Sequence, residues 1–338
     1  MTIHATLIAG DGIGPEITAA TLQVLDATGL QFAWDRQLGG MAAVEATGDP
    51  LPEATLASIR RTRLALKGPL TTPVGSGYRS VNVALRQEFR LYANVRPAKD
   101  FIPGGRYDDV DIVLVRENLE GLYTGLEQWV PVGDDPRGRA ESTAVVTREG
   151  SERVVRYAFE YALAHGRRKV TLVHKANILK YTSGLFLEVG QAVAREYAGR
   201  VACNDLIVDN CAMQLVMRPE QFDVIVTTNL FGDILSDEIS GLVGGLGLAP
   251  GGNIGTDAAI FEAVHGSAPD IAGQGIANPS AQILAAAMLC DHIGENHAGD
   301  RIRRAVTATI VADRVRTRDL GGTATTEEFG AAVARRVG

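Results

Sequence analysis

The sequence predicts an α/β fold, and the spacing of apolar residues along its 338 positions carries that prediction. Residues 3–9 form a short, continuous apolar segment with the length of a buried strand. Residues 16–28 follow with the amphipathic spacing of a helix. Strand-like and helix-like segments alternate from 32 to 66 and again from 149 to 227. That alternation is typical of helices packed on a sheet, and the length suffices for two domains or one large unit.

A glycine-rich turn, residues 10–16 (GDGIGPE), ends the first predicted strand. A turn between a strand and a helix is where the dinucleotide-binding fingerprint GxGxxG occurs. The third glycine of that pattern would fall on Pro15, a residue that suits the first turn of a helix instead. The sequence therefore predicts a fold without an ordinary Rossmann nucleotide site.

The composition excludes several classes of partner. A net charge of −7 disfavours nucleic acid and anionic membrane surfaces, although a local basic pocket could still bind an acidic substrate. Cys203, Cys211 and Cys290 form neither a disulfide nor a zinc pattern, as expected of thiols in a reducing compartment. The sequence shows no targeting leader and no apolar run long enough to span a bilayer. We therefore expect a cytoplasmic protein that binds neither nucleic acid nor membrane.

An acidic pair, Asp233 and Asp237, lies in the segment 229–238 (NLFGDILSDE). On a helix, residues four positions apart share one face. Like charges so placed repel unless a cation lies between them, and Mg²⁺ prefers carboxylate oxygens. Asp209, predicted to cap the helix after a strand at 201–208, is a possible third carboxylate. On spacing alone, the alternative of a solvated acidic helix face stays open.

Basic residues follow a loop rich in glycine, proline and hydroxyls, residues 67–79. The loop opens at Ser80 into a predicted helix, and this position is either an anion site or a simple N-cap. Arg86 lies on that helix, while Arg96 and Arg116 are predicted at the ends of apolar strands. A guanidinium at the rim of a sheet can bind a carboxylate through two hydrogen bonds. The three arginines therefore predict a substrate with several carboxylates, with surface ion pairing as the alternative for each.

Further features complete the pattern. Residues 127–147 predict a hairpin. Lys175 ends a predicted buried strand, where it is either a catalytic base or a side chain that reaches solvent.

The glycine-rich run 241–255 predicts a hinge or a close backbone approach rather than packing. Helices are predicted over 281–295, 300–312 and 326–336, and the only strand expected after the glycine run is a short segment before His265.

Six segments together resemble the isocitrate/isopropylmalate dehydrogenase family, the β-decarboxylating hydroxy-acid dehydrogenases, over nearly the whole chain. They are 10–16 (GDGIGPE), 67–73 (KGPLTTP), 92–97 (YANVRP), 116–118 (REN), 229–237 (NLFGDILSD) and 265–273 (HGSAPDIAG). The resemblance implies that family's own non-Rossmann α/β fold.

The resemblance also implies how the chain is divided. It implies a large domain with the cofactor loops, from 1–91 and 244–338, and a small domain with the metal, substrate and dimer contacts, from 92–120 and 149–243. A clasp hairpin at 121–148 would interlock two subunits. The active sites would be shared across a homodimer, alone or within a higher oligomer.

Each matching residue has an implied role. Asp233 and Asp237 would bind Mg²⁺ or Mn²⁺ together with Asp209 of a second subunit. Lys175, also of the second subunit, would be the general base, and Tyr123 the general acid. The implied substrate-binding residues are Lys67, Ser80, Asn82, Arg86, Arg96 and Arg116. The implied cofactor-binding residues are Thr72, His265, Gly266, Ala268, Asp270, Ile271 and Asn278.

Within this resemblance, polar residues point to the substrate. Ser80 and Asn82 stand where isopropylmalate enzymes place apolar residues, and Lys67 could add positive charge. They favour a distal carboxylate, and hence oxidative decarboxylation of the tricarboxylate isocitrate to 2-oxoglutarate. Homoisocitrate, one methylene longer, is the second candidate, because one methylene changes affinity by only ~1–3 kcal/mol.

Asp270 and Ile271 point to NAD, because they match the family's NAD-dependent members. A carboxylate there can accept hydrogen bonds from the ribose hydroxyls and would repel a 2′-phosphate. The remaining alternatives are a 3-isopropylmalate dehydrogenase, a Mg²⁺-dependent carboxylate-binding protein and a non-catalytic regulatory subunit. The presence of Tyr123 and Lys175 favours a catalytic chain.

Overall fold

The computed structural model describes residues 2–72, 78, 80–100, 107 and 109–338. In chain order, the strands of these residues are β1 (Thr2–Ile8), β2 (Gln31–Gln37), β3 (Leu64–Lys67), β4 (Ala93–Lys99), β5 (Asp111–Glu117), β6 (Glu127–Val132), β7 (Asp135–Ser142), β8 (Lys169–His174), β9 (Ala202–Ile207), β10 (Val224–Thr227), β11 (Pro250–Ile254) and β12 (Ala259–Ala263). The helices are α1 (Gly14–Ala27), α2 (Met41–Thr47), α3 (Glu53–Thr62), α4 (Val81–Glu88), α5 (Arg148–Ala164), α6 (Thr182–Glu196), α7 (Val208–Met217), α8 (Asn229–Leu242), α9 (Ser280–His292), α10 (Asn296–Val311) and α11 (Thr326–Val337). The predicted α/β class is confirmed.

The chain forms two compact units. Unit 1 comprises Met1–Leu91, Arg96–Val110 and Ser240–Gly338, and unit 2 comprises Tyr92–Val95 and Asp111–Ile239. In unit 1 the strand order is β2-β1-β3-β12-β11. Strand β1 pairs in parallel with β2 and β3, β3 pairs in parallel with β12, and β12 pairs antiparallel with β11. Helix α9 packs on β11 and β12 and against α10, while α1 packs against α11.

Unit 2 has a parallel core, with strand order β5-β10-β8-β9. Helices α5 and α6 pack on its central strands, whose side chains are almost all buried. Because the strands are parallel, their carboxyl ends lie at one edge of the sheet. Arg116 lies near the end of β5, Lys175 directly follows β8, and Asn229 lies just after β10. Strands β6 and β7 form a separate antiparallel hairpin with mostly exposed side chains, as predicted for 127–147.

Two sequence-based expectations about local structure are wrong. Arg96 does not end a strand: β4 continues through Pro97 to Lys99. The glycine-rich run does take part in packing, because Pro250–Ile254 is the fully buried strand β11, although the predicted close backbone approach is present at Gly252. A Cβ on Gly252 would lie 3.1 Å from the Phe261 ring, so glycine allows a close approach between the paired strands β11 and β12.

None of the helices in the described ranges combines the length and the apolar character that a bilayer span requires.

Candidate functional site

In unit 2, the side chain of Arg116 is held by the first turn of helix α8. It is only 1% exposed. Its Nε and Nη2 atoms donate hydrogen bonds to Asn229 Oδ1 over 3.0 and 2.7 Å, and its Nη1 forms an ion pair with Asp233. Gly232 makes this approach possible, because a Cβ there would lie 2.6 Å from the Cγ of Arg116. The guanidinium is therefore held in one orientation at the end of β5.

The acidic pair lies on one helix, as the sequence predicts. Asp233 and Asp237 are one turn apart on α8, with Asp233 half-buried and Asp237 exposed. Their carboxylates supply the oxygen donors that a hard divalent cation prefers. Asp233 is already bound to two other groups of the site, whereas a solvated helix face would leave it in water.

Tyr123 is the second partner of Asp233. It lies in the 3-10 turn Leu122–Thr124, and its hydroxyl donates a hydrogen bond to Asp233 Oδ2. The Arg116 Cζ atom lies 5.0 Å from the centre of the Tyr123 ring, within the range of a cation–π interaction. Burial, followed by the hydrogen bond to Asp233, raises the pKa of Tyr123. The phenol is therefore a protonated donor at neutral pH.

Lys175 and Asp209 form a separate pair within unit 2. The Lys175 Nζ atom lies 2.7 Å from Asp209 Oδ1, and this hydrogen bond lowers the pKa of the carboxyl. Asp209 is not the cap of α7, as the sequence suggested: Ile207 occupies that position, and Asp209 lies in the first turn. In the described residues of this single chain, no three His, Cys, Asp or Glu side chains converge as a metal site.

In unit 1, two predicted substrate residues, Lys67 and Arg86, lie beside one buried carboxylate, Glu262, that the sequence reasoning missed. The Glu262 carboxylate forms an ion pair with Lys67 Nζ over 2.5 Å and accepts a hydrogen bond from Asn253 Nδ2 over 2.7 Å. Arg86 Nη2 lies 3.9 Å from the same carboxylate. Burial by itself raises the pKa of Glu262, but the Lys67 and Arg86 cations outweigh it and lower the pKa to about 2. Glu262 is therefore an anion.

This finding changes the expected role of Lys67. Its side chain is 2% exposed and its charge is matched by Glu262, so it does not offer a free positive charge to a substrate. The signal was present in the sequence, because Glu262 is a lone charged residue in the apolar strand β12. Its partner was not deducible, since Lys67 lies on a different strand.

Ser80 and Asn82 lie at the start of helix α4. Ser80 is its N-cap, accepting a hydrogen bond from the Val83 N–H over 3.4 Å, so the capping interpretation is observed. The Asn82 Oδ1 atom is buried without a hydrogen-bond partner among the described residues, and Asn82 lines a small cavity with Lys67 and Glu262. A buried amide oxygen without a partner is costly, which suits a group that binds a ligand.

The predicted cofactor loops come together in unit 1 around Asp11, another residue the sequence reasoning missed. Its carboxylate accepts hydrogen bonds from the N–H groups of Met41, Ala42 and Thr71 over 2.8 to 3.1 Å. Ser267 joins loop 265–273 to the other two glycine-containing segments. Its Oγ lies 2.8 Å from Thr71 Oγ1 in segment 67–73, and its carbonyl accepts a hydrogen bond from the Ile13 N–H in segment 10–16. Thr72, next to Thr71, is exposed.

Loop 265–273 presents the predicted nucleotide residues. His265 has a pKa lowered by burial, and its Nε2 atom is buried without a partner in the described structure. Asp270 and Gly266 are exposed, and Ala268 adopts a positive φ of 40°. Ile271 packs with Ala268 against a buried apolar group.

Asn278 has a structural role. Its Nδ2 donates to Asp319 and its Oδ1 accepts from the Ser280 N–H, each over 2.9 Å. Both ends of the amide are thus occupied inside the protein. The side chain therefore holds the chain in place just before helix α9.

Comparisons with known proteins identify the family of the chain. A family model described as isocitrate/isopropylmalate dehydrogenase matches residues 4–333. Catalytic subunit 5 of mitochondrial NAD isocitrate dehydrogenase from Arabidopsis thaliana is 48% identical over 334 residues, covering 98% of this chain and 87% of the relative. The isocitrate/homoisocitrate dehydrogenase of Thermus thermophilus is 50% identical over 338 residues, covering 98% of each protein.

Among solved structures, the crystal structure of isocitrate dehydrogenase from Methylococcus capsulatus superimposes with a TM-score of 0.95 at 60% identity, covering 99% of both chains. The family resemblance inferred from the six segments is confirmed. The chain belongs to the isocitrate/isopropylmalate dehydrogenase family of oxidoreductases.

Proposed function

We propose that the protein catalyses the NAD-dependent, metal-assisted oxidative decarboxylation of isocitrate to 2-oxoglutarate. The observation that carries the chemistry is the convergence of the Arg116 guanidinium and the Tyr123 hydroxyl on the Asp233 carboxylate. These are a carboxylate-binding group, a proton donor and an oxygen ligand, as a decarboxylating dehydrogenase of a hydroxy acid requires.

The residues of the chain would act in sequence. Arg86, Arg96 and Arg116 would bind the carboxylates of the substrate. Lys175 would accept the proton of the substrate hydroxyl, and Tyr123 would deliver a proton to the carbon from which CO₂ departs. When bound, the divalent cation would supply electrostatic stabilisation of negative charge on oxygen, and NAD would supply a hydride acceptor.

The cation would be held by Asp233 and Asp237 of one subunit and Asp209 of another. Surface chemistry in unit 2 supports a second copy of the chain. The segments that carry the candidate residues also carry exposed apolar side chains: Ile178, Leu179, Tyr181, Met213, Met217 and Ile234. Tyr181 is 91% exposed. Apolar surface of this kind marks an interaction site, and a homodimer would bring Lys175 and Asp209 to the partner's Asp233.

The substrate and cofactor assignments rest on unit 1. The hydroxyl of Ser80 and the amide N–H groups of Asn82 are hydrogen-bond donors that suit a distal carboxylate, and hence isocitrate over 3-isopropylmalate. Homoisocitrate is the second candidate, since one methylene discriminates weakly. The exposed carboxylate of Asp270 favours NAD. We propose that units 1 and 2 correspond to the large and small domains of the family; the cytoplasmic location stays a prediction.

The test is an assay of the purified chain with Mn²⁺, with NAD or NADP, and with isocitrate, homoisocitrate or 3-isopropylmalate, following the reduced nicotinamide. We expect the highest kcat/KM with isocitrate and NAD. A higher value with homoisocitrate or isopropylmalate would reassign the substrate. No turnover of any of them would contradict a catalytic chain and favour a regulatory subunit.

A further inference from the structure

A turn braced by carboxylates connects strand β5 to Tyr123. Its first residue, Glu117, is 4% exposed, and both oxygens of its carboxylate are used. Oε1 accepts a hydrogen bond from the Leu119 N–H over 2.9 Å, and Oε2 accepts one from the Glu120 N–H over 2.8 Å. A single buried side chain therefore fixes the two peptide groups that turn the chain out of the sheet.

Asn229 joins this turn to Arg116. Its Oδ1 accepts both hydrogen bonds from the guanidinium, and its Nδ2 donates to the carbonyl oxygen of Glu120 over 3.0 Å. Asn229 is 1% exposed, so water does not compete for these bonds. The amide thus couples the orientation of Arg116 to the position of the turn.

The far end of the turn is anchored to helix α5. The Glu120 carboxylate accepts hydrogen bonds from the N–H and the hydroxyl of Thr147, which is the N-cap of α5. Gly150 permits this contact, because a Cβ there would lie 2.4 Å from Glu120 Oε1. The Gly121 N–H donates to the Val145 carbonyl over 2.7 Å. Tyr123 follows directly and reaches Asp233 from this support.

We propose that Glu117 and Asn229 are positioning residues that hold Tyr123 and Arg116 against Asp233. The proposal rests on the function proposed above, because that function gives Tyr123 its role. In this structure Glu117 bonds to the backbone of its own turn, and Asn229 acts through Arg116 and Glu120. Loss of the hydrogen bonds of Glu117 or of Asn229 should displace the Tyr123 phenol without removing it. Displacement of a reacting group by about 1 Å can cost ~100-fold in rate.

The ionisation of Glu117 gives this brace a pH dependence. Burial raises the pKa of its carboxyl to about 7, against the lowering effect of the hydrogen bonds from the turn, and the nearby Glu120 carboxylate raises it further. The other charged group next to it in the chain, Arg116, is directed at Asn229 and Asp233. A protonated carboxyl is the weaker acceptor, because an ionised acceptor makes hydrogen bonds about twice as strong. The brace should therefore be tightest above pH 7.

The experiment compares the wild-type chain with Glu117→Gln and Asn229→Asp. Glutamine keeps the shape of Glu117 but can accept only one of the two N–H bonds. Aspartate keeps the acceptor for Arg116 and loses the donor to Glu120. Glu220→Gln, an exposed carboxylate elsewhere in unit 2, is the matched control. Hydrogen exchange of the 118–123 amides, corrected for intrinsic rates, is measured at pH 6 and pH 8 beside steady-state kinetics.

We expect both variants to lower amide protection at pH 8 by about 10-fold, the equivalent of one lost hydrogen bond of about 1.4 kcal/mol. We expect kcat to fall about 10- to 100-fold with KM changed by less than about 3-fold. Wild-type protection should decrease from pH 8 to pH 6, whereas in Glu117→Gln it should not change.

Unchanged protection in both variants would overturn the proposal, and so would lost protection with unchanged kcat. If Glu117→Gln fails to fold, Asn229→Asp decides by the same criteria. A wild-type chain without turnover of any tested substrate would instead contradict the proposed function, and hydrogen exchange alone would then decide whether the brace exists.

Discussion

The Tyr123 hydroxyl donates a hydrogen bond to the Asp233 carboxylate, so the proposed proton donor and the proposed metal ligand contact each other directly. Burial and this hydrogen bond keep the phenol protonated, and Arg116 balances the charge of Asp233 from the other side. A cation bound to Asp233 would therefore compete with Arg116 for Oδ1 or with Tyr123 for Oδ2.

Replacing Tyr123 with phenylalanine should slow turnover. A positioned general acid contributes about 10²- to 10⁴-fold, so we expect kcat to fall within that range while KM for isocitrate changes little. Steady-state kinetics with Mn²⁺ and NAD measure this. Tyr197→Phe loses a hydroxyl that donates to Glu160 and should keep the wild-type kcat. Equal rates in both variants would exclude Tyr123 as the acid.

Asp233→Asn should abolish metal-dependent turnover while the fold persists. The neutral amide is a weak ligand for a divalent cation, whereas Arg116 keeps its hydrogen bonds to Asn229. The melting temperature of the wild-type protein should rise when Mn²⁺ is added, because a ligand that binds only the native state stabilises it. The melting temperature of Asp233→Asn should rise little, whereas that of Asp257→Asn, which changes an exposed aspartate in unit 1, should rise as in the wild type. A rise as large in Asp233→Asn as in the wild type would contradict the assignment of Asp233 as a metal ligand.

Mixing two impaired variants tests whether subunits share active sites. Lys175→Met and Tyr123→Phe should each lose at least about 100-fold in activity alone. After joint unfolding and reassembly, half of the dimers would carry one intact site, so activity should recover to about a quarter of wild type in a twofold-symmetric dimer. Each variant reassembled alone is the control. No recovery, with mixed dimers demonstrated by native mass spectrometry, would place both residues in one subunit's site.

Glu262→Gln should destabilise the protein in a pH-dependent way. The native pKa is about 2, below the 4.5 of the free side chain, so the stabilisation is present above pH 4.5 and is lost as the pH falls towards 2. We expect a loss of about 3 kcal/mol at pH 7, where Lys67 is left without its partner, and a smaller difference at pH 3. Urea unfolding at both pH values measures it.

The matched control is Glu53→Gln, which removes an exposed ion pair with Arg60. Exposed pairs contribute about 0–1 kcal/mol, so this variant should stay close to wild type. If Glu262→Gln were equally harmless at pH 7, the buried cluster would not have the energetic role assigned to it.

Asp270→Lys combined with Ile271→Tyr should shift the cofactor preference from NAD towards NADP. The substitution removes the charge that repels a 2′-phosphate and adds one that attracts it. The ratio of kcat/KM values for the two cofactors is the measurement. Gln274→Lys adds a positive charge at a nearby exposed position and should change the ratio much less. An unchanged ratio in the double variant would refute the role of Asp270.

The sequence alone was sufficient for features that depend on local spacing. Four-residue spacing placed Asp233 and Asp237 on one helix face, and continuous apolar runs located the strands that end near Arg116 and Lys175. The family followed from six motifs in a fixed order. These features are encoded by residues close together in the chain, where helix and strand periodicity act.

Only the tertiary structure determined which distant side chains share a charge or a hydrogen bond. It paired Lys67 with Glu262, joined Arg116 to Asn229, and made a buried strand of Pro250–Ile254 within a glycine-rich run. Burial determines these pairings. A cation removed from water needs an anionic partner, and a buried backbone group needs a hydrogen-bond partner, and the assembled fold determines which residues are near enough to provide them. Spacing along the chain specifies the elements, and the loss of water inside the assembled fold specifies their contacts.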